Sequence, residues 1–410
     1  MPETATIPPF PAPRDGAPDV LFVTGEHSGS DHAARLLNGL RARRPGIRAA
    51  ALGGPALAAA GAQTLFDTTR FSAVGLVEVL ANLGYYRLLF RRTLEWIREH
   101  RPRVVVPVDY PGFNLRLADR LRREGLSRKG GGTIAVCQYI GPQIWAWKAG
   151  RRFKMARDLD ALGVIFPFEV DCYADTALPV RFVGHPFVAP DSPPPPVRHE
   201  PGAPVLLLPG SRPKPVRKIF PVLLAAWREY LRAAETDVAA AGSGGVKKLP
   251  REAVVLHTGE PVLDELRRAL ERFADIAPTV RLLARGEAPV PVAASAALMS
   301  SGTVSLSVAL AGIPGAIAYR ANPLTWLIGR RLVKGVEYLG IANILLKRPA
   351  WPEFLQDAAR PQTLAARLRE CISDPAAATL AHTDAAELHS MLGGGMDDIG
   401  DAAGWLCEWV

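Results

Sequence analysis

The sequence predicts an α/β fold: two doubly wound domains facing a cleft. Three observations carry this. Apolar runs of strand length alternate with amphipathic helix patterns along most of the chain. Glycine-bearing loops join several runs to the helix that follows. A proline-rich stretch divides the alternation into two series. Repeated strand–helix alternation implies a parallel sheet covered on both faces.

Residues 1–18 are Pro-rich and read as a disordered leader. "DVLFVTGEHSGSDHAARLLNGLRAR" is then an apolar run, a glycine turn and an amphipathic helix. "RPRVVVPVDYPGFNLRLADRLRRE" repeats the scheme, with a strand through Val104–Val108 and a loop holding Asp109, Pro111 and Gly112. "GGTIAVCQYIGPQIWAWKAGRRFKMARDL" repeats it again. "LDALGVIFPFEVDCYAD" and "LPVRFVGHPFV" add two short strands, closing a first domain over 19–188. Residues 189–204 carry successive prolines, which favour polyproline II, and read as the linker. The second series includes "PVLLLPGSRPKPVRKIFPVLLAAWREYL", "AVVLHTGE", "VRLLARG" and "AASAALMSSGTVSLSVALAGIPGAIAYR", a second domain over 205–370. Helical segments fill 371–410. The two halves read as tandem Rossmann-like domains. Ligands of such sheets bind beyond the carboxyl ends of the strands, so the loops after strands are the place to seek function.

The formal net charge of +9 suits an anionic partner. No Lys/Arg-only run, recognition-helix pattern or zinc-finger spacing points to nucleic acid. Cys137, Cys172, Cys371 and Cys407 are far apart, with no CxxC spacing, so neither a zinc site nor a disulfide framework is indicated. The N-terminus has no apolar signal core. No apolar run approaches the roughly 18 to 20 residues of a membrane span.

Four loops can carry chemistry. "LLLPGSR" presents Gly210, Ser211 and Arg212 after a strand; glycine admits close approach, and arginine clamps a diphosphate. A plain strand-to-helix turn with a surface Arg fits the same residues. "SSGTVSLSVALAGIPG" places Ser301, Gly302 and Thr303 at a helix start, where Ser301 and Thr303 can cap the helix and free N–H groups can hold phosphate. A self-contained cap is the alternative. The lysine of a Walker loop is absent. "VDYPGFN" puts the Asp109 carboxylate at a strand end, as a general base for a sugar hydroxyl or as a turn-forming Asp. "VTGEHSGSDHAARLL" is not GxGxxG; it carries Glu26, His27, Ser28 and Asp31 at its tip. His27 and His32 lack a third ligand at usable spacing, so no metal is expected.

Two segments, "YYRLLFRRTLEWIRE" and "PLTWLIGRRLVK", mix aromatic, aliphatic and basic residues at helical spacing. Such helices lie at a membrane interface or pack a core face with a solvated basic side. "YIGPQIWAWKAGR" sets Trp145 and Trp147 beside Lys148 and Arg151. Burying arginine and wetting tryptophan are both costly, so this juxtaposition raises the question of what the loop meets.

The ordered set of motifs resembles the lipid-A-disaccharide synthase family. The matching pieces run from about Asp19 to Gln356: "GEHSGSD", "GGP", "AVGLVEVL", "DYPGFN", "YIGPQIWAWKAGR", "PFE", "FVGHP", "LLPGSR", "SSGTVSLS", "AYRANP", "RRLVK", "IANILL" and "WPEFLQ". The resemblance implies a glycosyltransferase of the B-type, two-Rossmann fold. It implies transfer of 2,3-diacylglucosamine from its UDP form to 2,3-diacylglucosamine 1-phosphate, with a β-1,6 disaccharide and UDP as products. By match to the motifs, Asp109 is the base or an essential acceptor-side carboxylate. Gly210, Ser211, Arg212, Ser301, Gly302, Thr303, Arg320 and Asn343 hold UDP and its diphosphate. Glu26, Ser28, Trp145, Trp147, Lys148 and Arg151 lie on the acceptor and lipid side. No cofactor is implied. An anionic membrane surface is an expected partner, a cytoplasmic, peripheral inner-membrane location is expected, and an oligomer is allowed.

The chain also departs from the family pattern. Ser307 stands where a Glu follows the SGT turn, Pro215 replaces a Glu after GSR, Ala342 replaces the Pro before Asn343, and the first loop reads Gly29-Ser30-Asp31. These departures keep two alternatives in view: a related UDP-sugar transferase with another acceptor, and a non-catalytic paralog that binds UDP-sugar or lipid.

Overall fold

The structure, a computed structural model, describes residues 7–71, 83–189, 192, 195–241, 249–284, 291–321, 337–393 and 401–410. The chain divides into two compact units, Met1–Asp191 with Leu392–Val410, and Ser192–Met391. The motif "AVGLVEVL" and the segment "PLTWLIGRRLVK" with its "RRLVK" lie outside the described residues.

The first unit is built on seven strands: β1 (Val20–Val23), β2 (Ala49–Leu52), β3 (Gln63–Phe66), β4 (Val104–Pro107), β5 (Ala135–Tyr139), β6 (Ala161–Val164) and β7 (Val180–Phe182). They pair in the order β3-β2-β1-β4-β5-β6-β7, every pair parallel. Val20 faces Ala49 on one side and Val104 on the other. Leu21 and Val23 enter one core and Val20 and Phe22 the other, so both faces of the sheet are dry. That explains why these strands read as unbroken apolar runs. Helices α1 (His27–Arg43), α2 (Pro55–Ala59), α3 (Leu83–His100), α4 (Pro111–Arg123) and α5 (Arg151–Asp158) lie along this part of the chain. Pro111 opens α4 at a position where its missing N–H costs nothing.

The second unit carries a six-stranded parallel sheet, ordered β11-β10-β9-β13-β14-β15, and a two-stranded sheet of β12 and β8. The strands are β8 (Val197–His199), β9 (Val205–Leu208), β10 (Ala253–His257), β11 (Val280–Ala284), β12 (Val292–Ala294), β13 (Ala297–Met299), β14 (Gly315–Tyr319) and β15 (Glu353–Leu355). Helices α6 (Pro213–Ala241), α7 (Val262–Glu271), α8 (Thr303–Leu310), α9 (Ile341–Leu346), α10 (Pro361–Ser373) and α11 (Pro375–Met391) accompany them. Val205, Leu207, Phe220, Trp227 and Leu298 share one core.

Several sequence expectations are corrected here. Described residues of the leader are packed on the first unit: Ile7 is buried, Phe10 meets Phe66, and the Trp96 and Gln63 side chains donate to the carbonyls of Pro11 and Ala12. An extended proline-rich backbone makes no internal hydrogen bonds, so its carbonyls are available to such donors. The 189–204 stretch is more than a linker, since Val197-Arg198-His199 is proline-free and pairs in register with Val292–Ala294. The 371–410 segment is not one body. Residues 392–410 return to the first unit, where α12 (Ala402–Cys407) buries Trp405 and Leu406, and Asp401 pairs with Arg43. Helix α3, one candidate for lipid contact, turns Leu89, Leu94, Trp96 and Ile97 into the core, leaving its basic side outward.

Candidate functional site

In the first unit the strand order reverses between β1 and β4, so the loops after these strands open side by side. Thr24 is held by a bond from its N–H to the Leu52 carbonyl and by the Thr68 hydroxyl on its own carbonyl. Gly25 must be glycine, because a Cβ there would enter the Tyr110 ring. Glu26 caps α1 in extended conformation, and Glu26 and Ser28 are exposed. The Ser30 hydroxyl accepts the Gly54 N–H at 3.0 Å, tying this loop to the "GGP" turn.

The neighbouring loop is strained. Asp109 and Tyr110 are consecutive non-glycine residues at φ 47° and 50°. Each costs on the order of 1–2 kcal/mol in this left-handed region, so the surroundings must over-determine it. They do so through buried amides. The Asp109 N–H donates to the Tyr139 carbonyl at 3.1 Å. Its carbonyl accepts Asn114 Nδ2 at 2.7 Å and Gln138 Nε2 at 3.3 Å. Asn114 Nδ2 also reaches the carbonyls of Val23 and Val108, the ends of the two strands. Tyr110 stacks on Phe113, and burial first, then Tyr86, pushes its phenol pKa up. The result is an exposed Asp109 residue on a rigidly held backbone.

The third loop of this unit follows β5. Ile140 and Lys148 also take positive φ, 61° and 56°. Trp145 is half-buried, edge-on to Phe168 at 5.5 Å, and Phe168 stacks on Phe166. Phe166 meets His185, and His185 meets Phe187. Beneath them lies Glu169, whose carboxyl is pushed up to about 7 by burial, against the pull of the Phe166 and Ile165 N–H groups. Burial also holds His185 and His32 neutral, down at about 3 and about 4. The Phe187 N–H donates to His185 Nδ1. Trp147, by contrast, is 48% exposed, with Lys148 Nζ 4.4 Å and the Arg151 guanidinium 5.0 Å from its ring centre. Phe153 is 53% exposed under Arg152, at 4.2 Å.

In the second unit the reversal falls between β9 and β13. The Ser300 N–H donates to the Leu208 carbonyl at 2.8 Å, which draws the two loops together. Gly210 takes φ +117°, a conformation open to glycine. Ser211 and Arg212 follow, both exposed, and the Arg212 carbonyl accepts from Val216 in the first turn of α6. Prolines 213 and 215 fit that first turn. The N-cap of α8 is Gly302, which has no side chain to cap the helix, and the Ser305 hydroxyl donates to the Gly302 carbonyl at 2.6 Å. Ser307 is buried in α8.

Two further expectations meet different surroundings. Arg320 is exposed after β14, with one N–H on the Ala359 carbonyl. Asn343 is fully buried and spent: Nδ2 donates to the Trp351 carbonyl and to Glu353, and Oδ1 accepts the Trp351 N–H. The Asn343 amide, expected at the UDP, is thus engaged with Trp351 and Glu353. Glu353 also accepts the N–H groups of Leu339 and Gly340, fixing the start of α9.

The structure thus gathers Glu26, Ser28 and Asp109 at one reversal point, and Gly210 to Arg212 with Ser301 and Gly302 at the other. Residue-by-residue reading assigned no role to Asn114, Gln138, Glu169 or His185. One signal was present: Gln138 is a polar residue inside the apolar run "IAVCQYI", and an amide there must find partners. Among the described residues no cluster of His, Cys, Asp and Glu could hold a metal, and no helix is long and apolar enough to cross a membrane.

The family profile described as Lipid-A-disaccharide synthetase matches residues 20–238 and 255–393. A lipid-A-disaccharide synthase of Anaeromyxobacter sp. (strain K) is 38% identical over 371 residues, covering 87% of this chain and 89% of the relative. That of Geobacter sulfurreducens is 34% identical over 395 residues, covering 92% and 93%. Among solved structures, the glycotransferase of kitacinnamycin superposes with a TM-score of 0.55 at 16% identity, covering 97% of this chain and 99% of that one, a likeness of fold.

Proposed function

The chain belongs to the lipid-A-disaccharide synthase family of glycosyltransferases, and from that premise we propose which of its residues perform the transfer. The reaction joins 2,3-diacylglucosamine, carried on UDP, to 2,3-diacylglucosamine 1-phosphate and releases UDP. Inverting displacement requires that a base take the proton of the attacking hydroxyl as the bond from the anomeric carbon to the diphosphate breaks. Asp109 is that base. The observation that carries the assignment is its exposed position on the doubly left-handed turn at the β1/β4 reversal point. Glu26 and Ser28, at the start of α1, orient the acceptor.

Negative charge develops on the departing UDP. Arg212 neutralises it, aided by backbone N–H groups of the Ser301–Thr303 turn at the start of α8. Gly210 and Ser211 give the diphosphate close backbone approach. Arg320 contributes a second cation. These side chains and helix termini do electrostatically what the leaving group needs.

Trp147 and Phe153 expose rings among Lys148, Arg151, Arg152 and Lys154. Cationic groups over exposed aromatic faces suit the phosphate level of an anionic bilayer. The protein therefore works from the membrane surface, in the cytoplasm against the inner membrane, where both acylated substrates reside. Trp145 offers the acyl chains an apolar wall.

The test is UDP release from the purified protein given UDP-2,3-diacylglucosamine, with and without the acceptor. Acceptor-dependent UDP and a disaccharide product, both abolished in Asp109→Asn, are expected. Full turnover by Asp109→Asn would remove Asp109 from the role. For the surface, co-sedimentation with phosphatidylglycerol vesicles should weaken in Trp147→Ser/Phe153→Ser and fade with salt; unchanged binding would refute that placement.

A further inference from the structure

We infer that Gln138 and Asn114 are positioning residues for the reaction, acting through the backbone of Asp109. This rests on the assignment of Asp109 as base. Both amides are fully buried, on different elements, and converge on one atom, the Asp109 carbonyl oxygen. That oxygen belongs to the first of two consecutive left-handed residues, so its direction fixes the orientation of the peptide joining them. The Asp109 N–H is fixed from the other side by Tyr139. With both flanking peptides pinned, the Cα–Cβ bond of Asp109 has one direction.

The two amides do different work. Asn114, in the first turns of α4, spreads its hydrogens over the carbonyls of Val23, Val108 and Asp109, joining both strand ends at the reversal point. Gln138, inside β5, divides its hydrogens between Asp109 and Ile140, each 3.3 Å away. Ile140 is itself left-handed and begins the loop that carries Trp145 and Trp147. Gln138 is therefore a tie between the turn of the base and the aromatic loop. An apolar residue of similar shape would suit the surrounding core better, since Asn114 Oδ1 and Gln138 Oε1 find no partner among the described residues. Those unpartnered oxygens are costly in a dry core. Amides kept at that cost, with their donors turned on the backbone of the proposed base, point to positioning rather than to packing.

Gln138→Met keeps the length and removes the donors; Asn114→Ala removes the second clamp independently. Each would be assayed for kcat, for KM of both substrates and for thermal stability, alone and combined with Asp109→Asn. We expect Gln138→Met to lower kcat about tenfold, within the range that small misplacements of reacting groups produce, with KM values within about twofold. The double variant Asp109→Asn/Gln138→Met should be no slower than Asp109→Asn, because Gln138 acts only through that carboxylate. A folded Gln138→Met or Asn114→Ala variant with full kcat would overturn the inference. So would a double variant slower than Asp109→Asn by the whole factor of the single change, or a loss confined to KM. Full activity of Asp109→Asn would instead sink the base assignment, and the inference with it.

Discussion

Each unit places a positive-φ residue in the loop that leaves its reversal point, but the two loops reach that backbone by different means. In the second unit the residue is Gly210, for which φ +117° is accessible without any support. In the first unit the residues are Asp109 and Tyr110, which are held there by Asn114, Gln138 and Tyr139. On the proposed assignment, the difference follows from what each loop must present. A diphosphate is gripped by backbone and by a long, flexible arginine, so a bare turn suffices. A base needs a side chain on the turning residue itself, so glycine is excluded and the strain must be balanced by buried hydrogen bonds.

The harshest way to break the comparison is Asp109→Asn, which keeps the turn and removes the proposed base. Its kcat should fall about 10²- to 10⁴-fold, the usual contribution of a general base, with thermal stability little changed. A fall in stability instead would mean that the carboxylate belongs to the scaffold. Next is Arg212→Ala, expected to lower kcat about 10²-fold, as the loss of one charge-stabilising group does. Arg212→Lys should recover part of this, since a lysine supplies the charge without the fork. Equal rates for wild type and Arg212→Ala would reject the diphosphate role.

Gly210→Ala probes the permissive turn. A Cβ there would stand 3.3 Å from Ser300 Oγ, on a backbone that L residues rarely adopt. We expect a loss of roughly 1–3 kcal/mol, read as a lower Tm, larger than for an alanine on the exposed face of α6. An unchanged Tm would show that the second turn is as well supported as the first.

The smallest effect concerns pH. The Glu169 carboxyl, raised from 4.5 to about 7 by burial, keeps its proton longer in the folded than in the unfolded chain. The folded state therefore binds more protons between these values, and its contribution to stability is lost as pH rises through them. Glu169→Gln should flatten that part of the curve of Tm against pH. A curve of unchanged slope would place the titration elsewhere.

Much of this was legible beforehand. The apolar runs named the strands, and the loops after them hold Asp109, Arg212 and the Ser301–Thr303 turn, the residues proposed to act. The amphipathic pattern of α3 was also legible, but not its partner: periodicity shows that a helix has an apolar face, not whether core or lipid covers it. Motifs carry no information about burial: nothing in "IANILL" shows that the Asn343 amide is engaged by Trp351 and Glu353.

The sequence by itself determined the alternation of elements, the absence of CxxC or zinc-finger spacing, and an ordered set of motifs specific enough to identify the family. All are local properties, readable within a window of a few turns. Tertiary structure alone decided that residues 392–410 complete the first unit, that Phe10 and Pro11 meet Phe66 and Trp96, and that Asp109 sits on a strained backbone. The physical reason is distance along the chain. Asn114 meets the Val23 carbonyl 91 residues away, and Gln138 meets Asp109 across 29; such hydrogen bonds exist only once the strands have paired, and they set the geometry of the proposed base.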